Sequence, residues 1–437
     1  MKKLILALSI ILFGFITNLY SQLCLPQGIT FSTQEQIDNF QTDNPGCTEI
    51  EGSVTINGDN ITNLNGLIDL TSIGGDLEIG ELSGGNQVLS SFSGLDNLMS
   101  IGASLLILRN NSLLSLTGLE NLESVGAGLW VFWNDELQNL AGLENLASIG
   151  YELQIIDNSL LTSIIGLSNL NSIGEYAFIE ISDNDLLASL NGLEGLTTIP
   201  EHLWILSNNS LTDLSGLDNI TSVGSSLDIR NNNSLINFNG LGNLTSTDHF
   251  RIDNNKMLMN LLGIERLTSV NNLVIVDNTE LSSLNGLNND LGIEGYLMIT
   301  GNSVLSNCAA ESICNYIDTP SGEIYISDNA VGCNSQEEVE EACETISIEE
   351  LNLTHRITIY PNPFSISTTL SYSQKQPSTV QLSVFNQLGQ LVYQHSEDQQ
   401  QGSQQLQWDA QGQAEGLYYY RLQSGEQVAN GKMVKVR

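Results

Sequence analysis

One spaced pattern, L-x-I-x-x-N-x-x-L-x-x-L-x-G-L-x-x-L-x-S-I-G, returns about every 24 residues over most of the chain, a period that belongs to solenoids. Its asparagine stands at Asn110, Asn134, Asn158, Asn184, Asn208, Asn232, Asn255, Asn278, Asn302 and Asn329. Its glycine stands at Gly66, Gly94, Gly118, Gly142, Gly166, Gly192, Gly216, Gly240, Gly263 and Gly286. Two independent columns of ten copies set the architecture, because stacked units pack on their neighbours and not around one shared core. Length therefore does not count domains over this stretch.

Each unit reads as three short straight runs joined by bends. Around Trp130 these are a strand Leu129-Trp130-Val131, a turn at Asn134, then Leu137 to Leu140 and Leu146 to Ile149. Leu129, Val131, Leu137, Leu140, Leu143, Leu146 and Ile149 all have to point inward to line one coil. Stacked asparagines can bond along the axis, and a serine column (Ser72, Ser100, Ser124, Ser148, Ser172, Ser222, Ser246, Ser269) is expected to do the same beside the I-G bend. No helical stripe fits inside the unit. The expected fold is therefore all-β, a right-handed β-helix-like solenoid over residues 52–345, with a cap at 22–51 whose Thr33-x-x-Gln36 start and Ile37/Phe40 stripe predict a short helix. From about Gly52 to Ala330 the pattern resembles the receptor L-domain family of leucine-rich β-helical modules. That resemblance implies ligand binding without catalysis and carries over no individual site residue.

Lys2 and Lys3, the apolar run Leu4 to Ile16 and Leu19-Tyr20-Ser21 predict a secretory signal peptide over residues 1–21, too short for a membrane span and cleaved before Gln22; no transmembrane segment is expected in the mature chain. Export makes disulfides the expectation for Cys24 and Cys47 ahead of the repeats and for Cys308, Cys314, Cys333 and Cys343 around their end, with the connectivity open. No C-x-x-C spacing or nearby histidine argues for zinc. The formal charge of −37 speaks against nucleic acid and anionic lipid as partners.

At Ile346 the period stops, and after a linker at 346–356 the composition changes to alternating Gln, Tyr and Val. Residues 357–437 predict a small immunoglobulin-like antiparallel β-sandwich, with turns at Asn386 to Gly389 and Gln411 to Gly416. Its blocks Tyr360-Pro361-Asn362-Pro363, Gly389, Gly416-Leu417-Tyr418 and Gly431-Lys432 through Val436, in this order, are similar to the type A sorting domain of the type IX secretion system. The resemblance implies a bacterium of the Bacteroidota type and export across the outer membrane. It also implies the secretion machinery and its sorting protease as partners, with the remainder of the chain commonly attached to the cell surface.

Strand side chains alternate, so the two x positions of L-x-I-x face outward as columns. Leu106, Leu108, Trp130, Phe132, Ile156, Trp204 and Leu206 fall in them and predict an exposed apolar and aromatic patch, a candidate binding site for a protein or a glycan. The alternatives are that a loop or the carboxyl-terminal domain covers the patch, or that the rings lie along the sheet as cross-strand packing. Asp228 beside Arg251 and Arg230 beside Asp253 predict a self-neutralised charge cluster that fixes coil register. Asp157, Asp183, Asp277 and Asp328 precede ladder asparagines and form a weak candidate row for calcium; no metal or cofactor site is assigned. Catalysis lacks its parts: histidines are His202, His249, His355 and His395, without Ser-His-Asp or Cys-His spacing. The expected function is non-catalytic recognition or adhesion at the surface or outside the cell; a β-helical polysaccharide-degrading enzyme and a structural surface-layer component are the alternatives.

Overall fold

The computed structural model describes residues 23–350, 357–374, 377–387, 389–425 and 427–437. The expected signal peptide and residues 351–356 of the expected linker lie outside these. Contacts divide the chain into two units, Met1–Gln336 and Glu337–Arg437.

The first unit is a parallel β-solenoid. Thirteen strands stack in register from Ile29–Phe31 to Ile324–Ser327, within a sheet of fifteen, and a second parallel sheet of seven short strands runs from Leu23–Cys24 to Ser172–Ile173. The seven inward positions around Leu129 are all at most 1% exposed, so the core is a column of leucine, isoleucine and valine. The glycine of each unit marks a corner: at Gly142 φ is 114°, and a Cβ there would stand 2.1 Å from the Leu116 carbonyl oxygen of the coil beneath.

The asparagine ladder is fully buried from Asn86 to Asn302. Asn134 donates through Nδ2 to the Ile107 carbonyl of the preceding coil at 2.9 Å, and its neighbour Asn158 does so to Val131 at 2.8 Å. Asn86 is a rung that the sequence period hides, because four extra residues stand between the strand Leu77–Ile79 and the asparagine. A second, outer ladder joins the same coils: Asn121 and Asn145 donate to the carbonyls of Asp96 and Glu120 at 2.6 Å. The acidic residue at this corner also accepts from the repeat glycine, as Glu120 does from Gly118 at 2.9 Å and Glu144 from Gly142 at 2.8 Å. Part of the acidic composition is thus turn chemistry.

The serine column differs from expectation. Ser124, Ser148 and Ser172 are in register through backbone pairing with their side chains outward, and the hydroxyl rungs come from threonines one residue earlier, such as Thr245 to the Thr221 carbonyl at 2.9 Å. The reason is the alternation of the strand, which turns Ile149 in and Ser148 out.

The corners are not uniform. Ser148 stands five residues before Leu153, whereas Ser246 and Ser269 stand four before Phe250 and Leu273. One residue fewer removes the I-G bend, and the two strands of the coil merge into Ser246–Asp253 and Ser269–Val276. A bulge between Val223 and Ser226 reconciles the two geometries.

Both ends are closed. The Thr33/Gln36 capping box forms, but the cap is two short helices, Gln34–Asp38 and Phe40–Asp43, which bury Ile37 and Phe40 beside Phe31. Cys24–Cys47 ties this end, and Cys308–Cys333 ties the other beside the helix Glu311–Asp318. Cys314 and Cys343 are disulfide-bonded as well.

In the second unit the helix Gln336–Glu350 occupies the first five positions of the expected linker. Beyond it lie antiparallel sheets of three and four strands that share one core, built on Leu370 and Trp408 from one sheet and on Leu382, Val384, Leu422 and Met433 from the other.

Candidate binding face

Strand register brings Leu106, Trp130, Gln154, Glu180 and Trp204 into one row on neighbouring strands, with Leu108, Phe132, Ile156, Ser182 and Leu206 in the next. Leu106, Trp130, Ile156, Trp204 and Leu206 are partly exposed. Leu108 and Phe132 are not: they are 1% and 8% exposed, which corrects the reading of a uniformly open patch. The inserted loop packs its backbone against the end of the first residue's strand, where a Cβ on Gly85 would stand 2.1 Å from the Arg109 carbonyl oxygen and 2.5 Å from that of Leu108. Phe132 is held between Trp130, stacked at 5.5 Å, and Trp133, edge-on at 5.5 Å.

A third outward column was not found from the sequence. It contains Glu152, Phe178, His202 and His249, each directly preceding the leucine, isoleucine or phenylalanine that opens the L-x-I triplet. Tyr151, Phe178, Trp204 and His202 form a chain of rings with centroids 6.5, 5.8 and 5.1 Å apart. The signal was present as an aromatic immediately before the strand, but the repeat pattern begins one residue too late to include it. Among these rings sit fixed polar groups. The Trp130 indole donates to Glu152 Oε1 at 2.7 Å, and Gln154 donates to Glu180 at 3.0 Å.

Asp228 pairs in register with Arg251, and Arg230 with Asp253, as the sequence places them. The ion contacts, however, run within each strand: Arg230 Nε lies 2.8 Å from Asp228 Oδ1, and Arg251 Nη2 lies 2.5 Å from Asp253 Oδ2. Residues two apart share a face with their in-register neighbours, so each arginine has a carboxylate within reach on its own strand as well as on the next, and it takes the one on its own strand. Burial pushes the Asp228 carboxyl up against the pull of Arg230 and Arg251, and burial together with Arg251 pushes His249 down. Both arginines are occupied by carboxylates. Arg109 lies 4.5 Å over the Trp133 ring.

The aspartates Asp157, Asp183, Asp277 and Asp328 take φ between 54° and 57°, the left-handed corner before each ladder asparagine. Short polar side chains tolerate that region, which accounts for the row without a cation. Among the described residues no group of three or more His, Cys, Asp or Glu is placed to hold a metal ion.

In the second unit, blocks far apart in sequence meet. Asn362, between the cis bonds Tyr360–Pro361 and Asn362–Pro363, accepts from the Val434 N–H at 2.9 Å. Gly389 closes a turn onto Asn386, while Gly416 and Leu417 pair with Lys435 and Val434. Tyr418 is buried and donates to the Ala414 carbonyl at 2.7 Å; Gly431 and Lys432 line a hollow of about 570 Å³ with Phe385 and Tyr419.

The family model of the secretion system C-terminal sorting domain matches residues 358–436. The chain therefore carries a type IX sorting domain and is exported to the outer cell surface or beyond, with the secretion machinery as its partner. No curated protein matches the chain. No described helix is long and apolar enough to cross a membrane.

Proposed function

We propose that the chain is a non-catalytic recognition protein whose solenoid presents a binding face to a protein or glycan outside the cell. The observation that carries this reading is the row of half-open rings at Trp130 and Trp204, with Tyr151 and Phe178 between them, on a surface rich in carboxylates. Leu106, Ile156 and Leu206 border it, and Leu108 and Phe132 support it from beneath. The rings are braced by neighbours, so little side-chain entropy is lost on binding. The recurring L-x-I-x-x-N unit supports a leucine-rich, receptor-L-domain-like solenoid, and the two-sheet core of the second unit supports an immunoglobulin-like sandwich that the sorting protease removes.

The test is the full chain on an array of extracellular proteins and glycans, beside a Trp130→Ala/Trp204→Ala variant of equal melting temperature. Loss of about a hundredfold in affinity is expected on removing two ring anchors. Binding that survives the double substitution refutes the face. Turnover of a polysaccharide, lost on substituting a carboxylate of this face, would establish the enzyme instead.

A further inference from the structure

We infer that the row Trp130, Gln154, Glu180, Trp204 binds a linear uncharged glycan laid along the solenoid axis, with Glu152 as a hydrogen-bond acceptor at the Trp130 end. This deepens the recognition reading and rests on it.

Geometry comes first. The four residues are on consecutive strands, so the two indoles are three strand spacings apart, roughly 14 Å. Between them the row is polar: Gln154 donates to Glu180 at 3.0 Å, and Ser182 donates to the other oxygen of Glu180 at 3.2 Å. A sugar unit offers a C–H face to a ring and O–H groups at its edge to amides and carboxylates. Rings at both ends of an amide–carboxylate centre match a chain of such units. A protein hot spot wants a contiguous desolvated apolar centre, whereas here Gln154 and Glu180 stand between the two indoles, and Leu108 and Phe132 of the next row are already buried.

A second, independent observation points to a ligand. Glu152 is 8% exposed; its Oε1 takes the Trp130 indole N–H, and no group of the protein donates to its buried Oε2. Buried polar atoms are nearly always paired; Oε2 is itself shielded from solvent, so a hydroxyl donor completes it when the half-exposed Trp130 ring beside it shifts to admit one. Charge then narrows the class. Glu78, Glu152, Glu180 and Asp228 lie in or beside the row; Arg230 and Arg251 are held by Asp228 and Asp253, and Arg109 lies over the Trp133 ring. Uronic acids and sulfated sugars would be repelled by Glu78, Glu152 and Glu180, whereas neutral hexose chains would not.

The experiment titrates the full chain, followed by tryptophan fluorescence, with neutral gluco- and manno-oligosaccharides of graded length, with polygalacturonate and oligolysine in parallel. Affinity should climb until the oligosaccharide spans both indoles and then level off. Glu152→Gln keeps an acceptor for Trp130 but turns the open acceptor into a donor, and should weaken neutral glycans by about tenfold. Trp204→Ala should reduce a long oligosaccharide to the affinity of a short one. Preference for polygalacturonate or oligolysine, or neutral-glycan binding indifferent to Trp130→Ala and Glu152→Gln, overturns the inference. If a protein on the array binds through Trp130 and Trp204 while no neutral glycan does, the glycan falls and the recognition face stands. If no ligand depends on the rings, both fall.

Discussion

Asn158 Oδ1 accepts both the backbone N–H and the side-chain amide of Asn134, each at 3.2 Å, inside a core with no exposure to water. Removing the side chain leaves the Asn134 N–H and the Val131 carbonyl without these partners. Each stranded group costs about 1–3 kcal/mol, so Asn158→Ala should destabilise the solenoid by about 3 kcal/mol in urea unfolding. Asn329, half-exposed at the end of the ladder, should lose about 1 kcal/mol on the same change, since water can replace its contacts. Equal losses at both positions would contradict a ladder whose value comes from burial.

Ser207 holds φ at 57° directly before Asn208, whereas the next two coils place Asn231 and Asn254 there. Those two asparagines also bond to each other, Asn254 Nδ2 to Asn231 Oδ1 at 2.7 Å. Ser207→Asn should therefore raise stability by about 1 kcal/mol through relief at the left-handed corner. A lower melting temperature would show that the serine makes a contact worth more than the corner strain.

The stacked coils, the inward leucines and the outward columns were legible in the sequence, because period and alternation act locally and repeat. Trp130, Trp204 and their row are where the pattern puts them. The burial of Leu108 and Phe132 was not legible, since it depends on an inserted loop and on Trp133, which stands outside the alternating columns. Phe178 and His202 were missed because they precede the repeated triplet, and the pairing of Arg230 with Asp228 depends on which of two near carboxylates a long side chain reaches. The merged strands at Ser246 and Ser269 could have been read from the one-residue shortening of those units.

Tyr372 lies in the core of the sorting domain, and burial pushes its hydroxyl up to about 12 from the ordinary 10. The folded state then holds this proton in a range where the unfolded state releases it, so stability contributed by Tyr372 is present below about 10 and is lost as pH rises toward about 12. Alkaline unfolding of the second unit, followed by near-ultraviolet circular dichroism, should shift to higher pH in Tyr372→Phe. An unchanged midpoint would contradict this assignment.

Deleting residues 357–437 should leave a folded solenoid that accumulates in the periplasm, because the sorting domain carries the export signal. Cell fractionation with protease accessibility reads this directly. Normal surface display of the truncated chain would remove the sorting role.

Hydroxyl-radical footprinting of the full chain with and without its captured ligand tests the central claim most directly. Protection is expected at Trp130, Tyr151 and Trp204, with the seven-stranded side of the coil around Ser100–Ile101 and Ser124–Val125 unchanged. Protection on that neighbouring side, with the three aromatic residues as reactive as before, would contradict it.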